Sequence, residues 1–137
     1  MTSKNAKVLL GIDFGTKKTG IAVGQTFTKT ANALKTLTTI DGIPSPVELT
    51  KIIEEWQPDV AIIGKPASLE PTFQKKLNKV ARFLKEHFQL ETIFVDESLT
   101  TEQANFEMYS QQLKSGRKHQ QRDAISARLI LETYMLE

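Results

Sequence analysis

The stretch Val8–Gln25, VLLGIDFGTKKTGIAVGQ, decides how this chain is read. Two apolar runs flank a polar turn, GTKKTG. The first run, Lys7–Gly15, is nearly continuous, the pattern of a strand buried on both faces. Strand side chains alternate, so Leu9, Gly11 and Asp13 share one side. Asp13 is out of place there, because a carboxylate in apolar surroundings is costly unless it is paired, hydrogen-bonded or bound to a metal. The second run, GIAVGQTF, puts Gly20, Ala22 and Gly24 on one face with almost no side-chain bulk. Glycine within a strand marks the close approach of another backbone or of a ligand.

Working outward, ALKTLTTI (33–40) reads as a third strand. In GIPSPVELTKIIEEWQPD, Ser45 is the expected N-cap, Pro46 the first helical residue and Glu48 the capping-box partner. Leu49, Ile52, Ile53 and Trp56 follow a helical stripe that Pro58 ends. DVAIIG is a short buried strand and KPASLEP a loop. Thr72–Phe88 predicts a second amphipathic helix, with Lys75, Lys76, Lys79, Arg82 and Lys85 on its polar face. ETIFVDE is a further strand. Thr100 and Gln103 cap a third helix, KSGRKHQQR is a basic loop, and DAISARLILETYML is a last helix with Ala127, Ile130, Leu131 and Tyr134 inward. The order β-β-β-α-β-α-β-α-α predicts an α/β fold. Its mixed five-stranded sheet is a three-strand antiparallel meander plus two parallel strands, with helices on both faces. No repeat, low-complexity tract or linker interrupts it, so residues 1–137 are expected to form one domain.

The absence of cysteine excludes disulfides and thiolate metal sites and fits a reducing compartment. No apolar run reaches membrane-spanning length, and MTSKNAK lacks a signal-peptide core. A soluble cytoplasmic protein without membrane contacts is expected. The net charge of +2 does not announce a nucleic-acid binder, but the charge is segregated: residues 1–40 hold six lysines and one aspartate, and residues 91–110 hold five acids and no Lys or Arg. Blocks of alternating sign predict basic surfaces around an acidic centre, against the plainer reading of solvated helix faces.

Three acids occupy special positions. Asp13 lies in the first strand, Glu97 follows the last, and Asp123 opens the final helix. If the first and last strands lie close, and that helix crosses the sheet, the three meet. Crowded carboxylates need a cation, and oxygen-only ligands favour Mg²⁺ or Mn²⁺ over zinc. One or two such ions suit phosphodiester hydrolysis. Taken singly, Glu97 and Asp123 also have ordinary readings as cap residues; capping does not explain Asp13.

The segments GIDFGTKKTGIAVGQ, IIGKP, VDESLTTEQA and RDAISARLILETY resemble, in order and over nearly the whole chain, the YqgF family, also called RuvX. The resemblance implies an RNase H-like fold related to the RuvC junction resolvases. It further implies a nuclease that processes the 5′ end of small-subunit ribosomal RNA precursor, or a Holliday junction resolvase acting as a dimer. The family's acidic triad falls on Asp13, Glu97 and Asp123. RNA is the preferred partner, branched DNA the alternative, with ribosomal particles as further partners and either a monomer or a homodimer as the state. A non-catalytic RNA-binding assembly factor is the reading from a different class.

Lys17 and Lys18 in the hairpin, Thr101 in the LTT segment, and Arg117, Lys118 and Arg122 in RKHQQRD are the expected phosphate contacts. Solvated turns and caps are the competing roles. A lone loop histidine, His119, stays outside the catalytic set. The chain departs from its relatives where GKPASLEPT (64–72) replaces GLPLNMDGT and where Ser98 replaces an arginine, which bears on substrate choice. Three echoes are discounted, the first being the glycines at 11, 15, 20 and 24, which fit neither the dinucleotide fingerprint nor the P-loop spacing. DFG lacks the rest of the kinase signature. GIDFGT resembles the first phosphate motif of the actin and sugar-kinase group, whose ATP clamp needs two domains.

Overall fold

The computed structural model describes residues 7–66, 69–96 and 122–136. They form strands β1 (Val8–Asp13), β2 (Lys18–Gln25), β3 (Thr30–Ile40), β4 (Ile43–Pro44), β5 (Val60–Lys65) and β6 (Glu91–Asp96). The helices are α1 (Pro46–Trp56), α2 (Pro71–Phe88) and α3 (Arg122–Leu136). The sheet order is β4-β3-β2-β1-β5-β6. β1, β2 and β3 make the expected antiparallel meander, and β5 and β6 add in parallel beyond β1.

The described sheet has six strands, not five. The extra one, β4, is a two-residue return on which Thr39 pairs with Pro44 and Ile40 with Ile43. Asp41 and Gly42 between them both have positive φ, 53° and 83°. That is the primed two-residue turn whose twist suits a hairpin. Pro44 and the shortness of β4 hide it from sequence patterning. β3 also begins at Thr30, earlier than expected, and β1 stops at Asp13. The expected helix capped by Thr100 and Gln103, and the basic loop after it as far as residue 121, lie outside the described residues; Arg122, expected to end that loop, instead begins α3.

Ser45 does cap α1, its Oγ accepting from the Glu48 N–H at 3.5 Å. The reciprocal half of the capping box is not used. The Ser45 N–H donates to the Thr38 carbonyl at 2.7 Å, and the Glu48 carboxylate meets Lys35 Nζ at 2.6 Å instead. Gln57 then turns left-handed and its N–H closes the helix on Ile53 O at 2.8 Å.

Two apolar layers follow from the alternation along the strands. Leu10, Ile12, Ile21, Leu37 and Ile63 pack under α1 and α2. Leu9, Ala22, Ile62 and Val95 pack against Ala127, Ile130 and Leu131 of α3 on the opposite face, with Tyr134 partly buried at the edge. Burying each such large side chain is worth about 1.5–3 kcal/mol. α3 lies very close to the sheet. A Cβ on Gly11 would come within 2.7 Å of Leu131 Cγ and 2.9 Å of the Ala127 carbonyl oxygen. The glycine-rich face of β1 and β2 is therefore the seat of a helix. Among the described residues no helix is long and apolar enough to cross a membrane.

Candidate functional site

β2 runs against β1 and β3 runs against β2, so β1, β3, β5 and β6 all end at one edge of the sheet. Asp13, half-buried, is the last residue of β1 at that edge. Its partner across the ladder is Gly20, an α-carbon on the order of 5 Å away. A Cβ on Gly20 would lie 1.9 Å from the carbonyl oxygen of Asp123, 2.0 Å from its carbonyl carbon and 2.6 Å from the Ala124 nitrogen. The first turn of α3 thus rests its main chain on Gly20. Cross-strand partners share a face, so Asp13 and Asp123 stand together on the α3 side of the sheet.

On the other flank, β1 pairs with β5 up to Ile12 and Ile63. Continuing that register by one residue sets Gly64 beside Asp13. Asp13 therefore has a glycine on each neighbouring strand, and the space over Gly20 is taken by the main chain of α3. Beyond Gly64 lies Val95, its partner on β6, whose side chain packs with the α3 layer. Asp96 alternates to the other face. The first and last strands are not adjacent. β5 separates β1 from β6, placing them about 10 Å apart. Glu97, the residue after β6, lies outside the described residues, as do Thr101, Arg117 and Lys118.

Among the described residues no three Asp, Glu or His side chains gather as a metal-ligand group; Asp13 and the main chain of Asp123 lie at one sheet edge on the α3 face. Their chemistry fits a hard divalent ion. Both offer only oxygen, which suits Mg²⁺ or Mn²⁺, and two anions on one face are brought together most cheaply by a cation. Arg122, the first residue of α3, immediately precedes Asp123.

The β1–β2 turn carries Lys17 and Lys18, both exposed, at the same edge. β3 pins this turn. The Thr39 hydroxyl donates to the Gly15 carbonyl at 2.7 Å, and the Thr39 N–H donates to the Lys17 carbonyl at 2.8 Å. Thr19, fully buried, places its hydroxyl 2.8 Å from that of Thr39. With Thr39 donating to Gly15, Thr19 is the donor of that pair. Gly15 admits no side chain, since its Cβ would lie 2.2 Å from the Lys18 carbonyl oxygen. The Phe14 ring packs 5.8 Å from that of Phe73 in the first turn of α2. Sequence reasoning misses the threonine pair and this aromatic contact. The Thr-rich end of β3 is the available signal for the first; Phe73 carries only its place in a helical stripe.

A family model described as "RuvX: Holliday junction resolvase" matches residues 7–137. Proteins curated as "Putative pre-16S rRNA nuclease" are similar over nearly the whole chain. That of Shewanella oneidensis is 39% identical over 133 residues, covering 95% of this chain and 94% of the relative. That of Haemophilus ducreyi is 40% identical over 132 residues, covering 94% and 96%. Among solved structures, T. thermophilus RuvC in complex with Holliday junction substrate aligns with a TM-score of 0.54 at 14% identity, over 90% of this chain and 92% of that one. Fowlpox virus resolvase with substrate Holliday junction DNA aligns with a TM-score of 0.56 at 14% identity, over 94% and 97%. At such identity these likenesses show a shared fold, that of the RuvC-like resolvases.

Proposed function

Because this chain belongs to the RuvX family, we propose that it is a divalent-metal nuclease whose substrate is the 5′ end of small-subunit ribosomal RNA precursor, with residues 1–137 acting as one cytoplasmic nuclease domain. The observation that carries this reading is the seating of the Asp123 main chain on Gly20, directly across the ladder from Asp13. Nothing but glycine permits that approach, and its result is two acids on one face at a sheet edge flanked by lysines.

Asp13 and Asp123, with Glu97, would hold one or two Mg²⁺ or Mn²⁺ ions. An ion there supplies Lewis acidity toward the phosphate and a lowered pKa for water. The chain's own groups do the rest. Lys17 and Lys18 lie along the path of a strand entering at this edge, and the Thr39 bonds hold their turn in place. Thr101, Arg117, Lys118 and Arg122 are assigned to the same strand, with arginine able to grip a phosphate through two parallel N–H bonds.

RNA is favoured because the relatives named above, at 39–40% identity, carry a precursor-rRNA name. Four-way DNA is the second reading, supported by structural neighbours solved with Holliday junction DNA. It needs a dimer to place two symmetric cuts. Purified protein with Mn²⁺ is offered precursor rRNA and a four-way DNA junction at matched salt, beside its Asp13→Asn variant. Cleavage of the RNA by wild type alone is expected. Preferential junction cutting supports the resolvase reading, and tight RNA binding with no cleavage supports a non-catalytic assembly factor.

A further inference from the structure

The site accounts for one basic stretch, the turn at Lys17 and Lys18, and leaves a larger one unused. α2 carries Lys75, Lys76, Lys79, Arg82 and Lys85 against a single acid, Glu86. All five cations are exposed. Its apolar stripe, with Leu77, Val80 and Leu84 at 0% exposure, is fully engaged with the sheet.

We propose that the N-terminal half of α2, through Lys75, Lys76 and Lys79, is a second phosphate-binding surface that holds the RNA strand away from the bond being cut. The proposal rests on the RNA-nuclease reading above for its ligand and on three observations for its place.

The first is continuity with the site. Phe73 in the first turn of α2 packs against Phe14, the residue after Asp13. Lys79 Nζ donates to the Asp41 carbonyl at 2.8 Å, at the turn after β3, and β3 ends at the same sheet edge as β1. The start of α2 therefore lies at that edge, on the sheet face away from α3, and the helix then crosses toward Glu91 at the start of β6. Lys65, at the end of β5 with its ammonium 5.9 Å from the Phe94 ring centre, lies at the same edge.

The second is charge patterning. Lys75 and Lys79 are four residues apart, and Lys79 stands three residues from both Lys76 and Arg82. Like charges at these spacings destabilise a helix. α1 avoids this by interleaving Lys51 with Glu48, Glu54 and Glu55. Helix stability alone selects the α1 pattern, not that of α2.

The third is the lack of internal neutralisation. Lys85 pairs with Glu91, but among the described residues Lys75, Lys76 and Arg82 have no ion pair. Among the described residues Lys79 meets a carbonyl, that of Asp41, and no carboxylate. An anion from outside is the complement, and a row of phosphates matches a row of lysines.

The test is equilibrium binding of a precursor rRNA fragment in EDTA, with every protein also carrying Asp13→Asn so that no cleavage intervenes. The Lys75→Glu/Lys76→Glu variant is compared with Lys29→Glu/Lys51→Glu, which changes net charge equally elsewhere. Affinity is expected to fall about tenfold or more in the α2 variant, and the slope of log K against log salt to shrink by about 0.7 for each phosphate that the helix no longer neutralises. The control should weaken much less. Unchanged affinity and slope in the α2 variant, or an equal weakening in the control, overturns the proposal. Because binding is read without turnover, failure here is separate from failure of the nuclease reading, which is judged by wild-type cleavage.

Discussion

Gly20 supports the main chain of Asp123 so closely that a methyl group there would sit 1.9 Å from its carbonyl oxygen. Backbone against backbone leaves nothing that can rotate away. Gly20→Ala should therefore push the start of α3 off the sheet, costing about 1–3 kcal/mol and removing cleavage even where the protein remains folded. Gly24→Ala is the comparison. There the nearest atoms are the Thr30 carbonyl oxygen at 3.0 Å and the end of Leu131 at 3.2 Å. Urea denaturation and RNA cleavage at matched folded fraction should show the larger effect at Gly20 on both counts.

Thr39 joins β3 to the turn beside Asp13. Replacing it with valine keeps the shape but removes the donor to Gly15 and the acceptor for buried Thr19. Those groups then keep the long 3.5 Å contact between the Thr19 hydroxyl and the Gly15 carbonyl, so the loss should cost about 1 kcal/mol. Thr39→Ser should recover most of that stability. Lys17 and Lys18 ride on that turn, so RNA affinity should fall in Thr39→Val and return in Thr39→Ser, as read by fluorescence anisotropy.

Leu131 and Lys35 give opposite extremes of stability. Leu131 is completely buried and touches the glycine face of β1 and β2; Leu131→Ala should cost about 2–5 kcal/mol. Lys35 forms an ion pair with Glu48, but the two side chains are 50% and 42% exposed. Solvent screening limits Lys35→Ala to less than about 1 kcal/mol. Thermal melts of the two variants should differ by several degrees.

The proposed ion site at Asp13 and Asp123 predicts a signature in stability as well. A cation held only by the folded state raises the unfolding temperature as its concentration rises. Wild type should melt higher with Mn²⁺ than with EDTA, and Asp13→Asn should lose most of that increment. An equal increment in both proteins would place the ion elsewhere.

Much of this is legible in the residues. The alternation in Val8–Gln25 predicts the antiparallel pair, and the bare face at Gly20, Ala22 and Gly24 predicts a close approach from above. The periodicity of Ala127, Ile130 and Leu131 predicts which side of α3 makes it. The meeting of Gly20 with Asp123 in particular is not legible, because periodicity assigns a face without assigning what covers it. β4 escapes because two residues ending in proline carry no strand pattern. Glu48 reads as a local cap, yet Lys35, distant in sequence, competes for its carboxylate while Thr38 satisfies the Ser45 N–H. Insertion of β5 between β1 and β6 depends on sheet order, which local pattern does not encode. The assignment of Glu97 as the third ligand rests on resemblance.

The most direct measurement is anomalous diffraction from crystals of the protein soaked in Mn²⁺. Convergence of Asp13, Glu97 and Asp123 on a shared ion requires a manganese peak touching the Asp13 and Asp123 carboxylates, absent from Asp13→Asn crystals. Ordered carboxylates with no peak between them, or with a lysine or arginine filling that space, would contradict it.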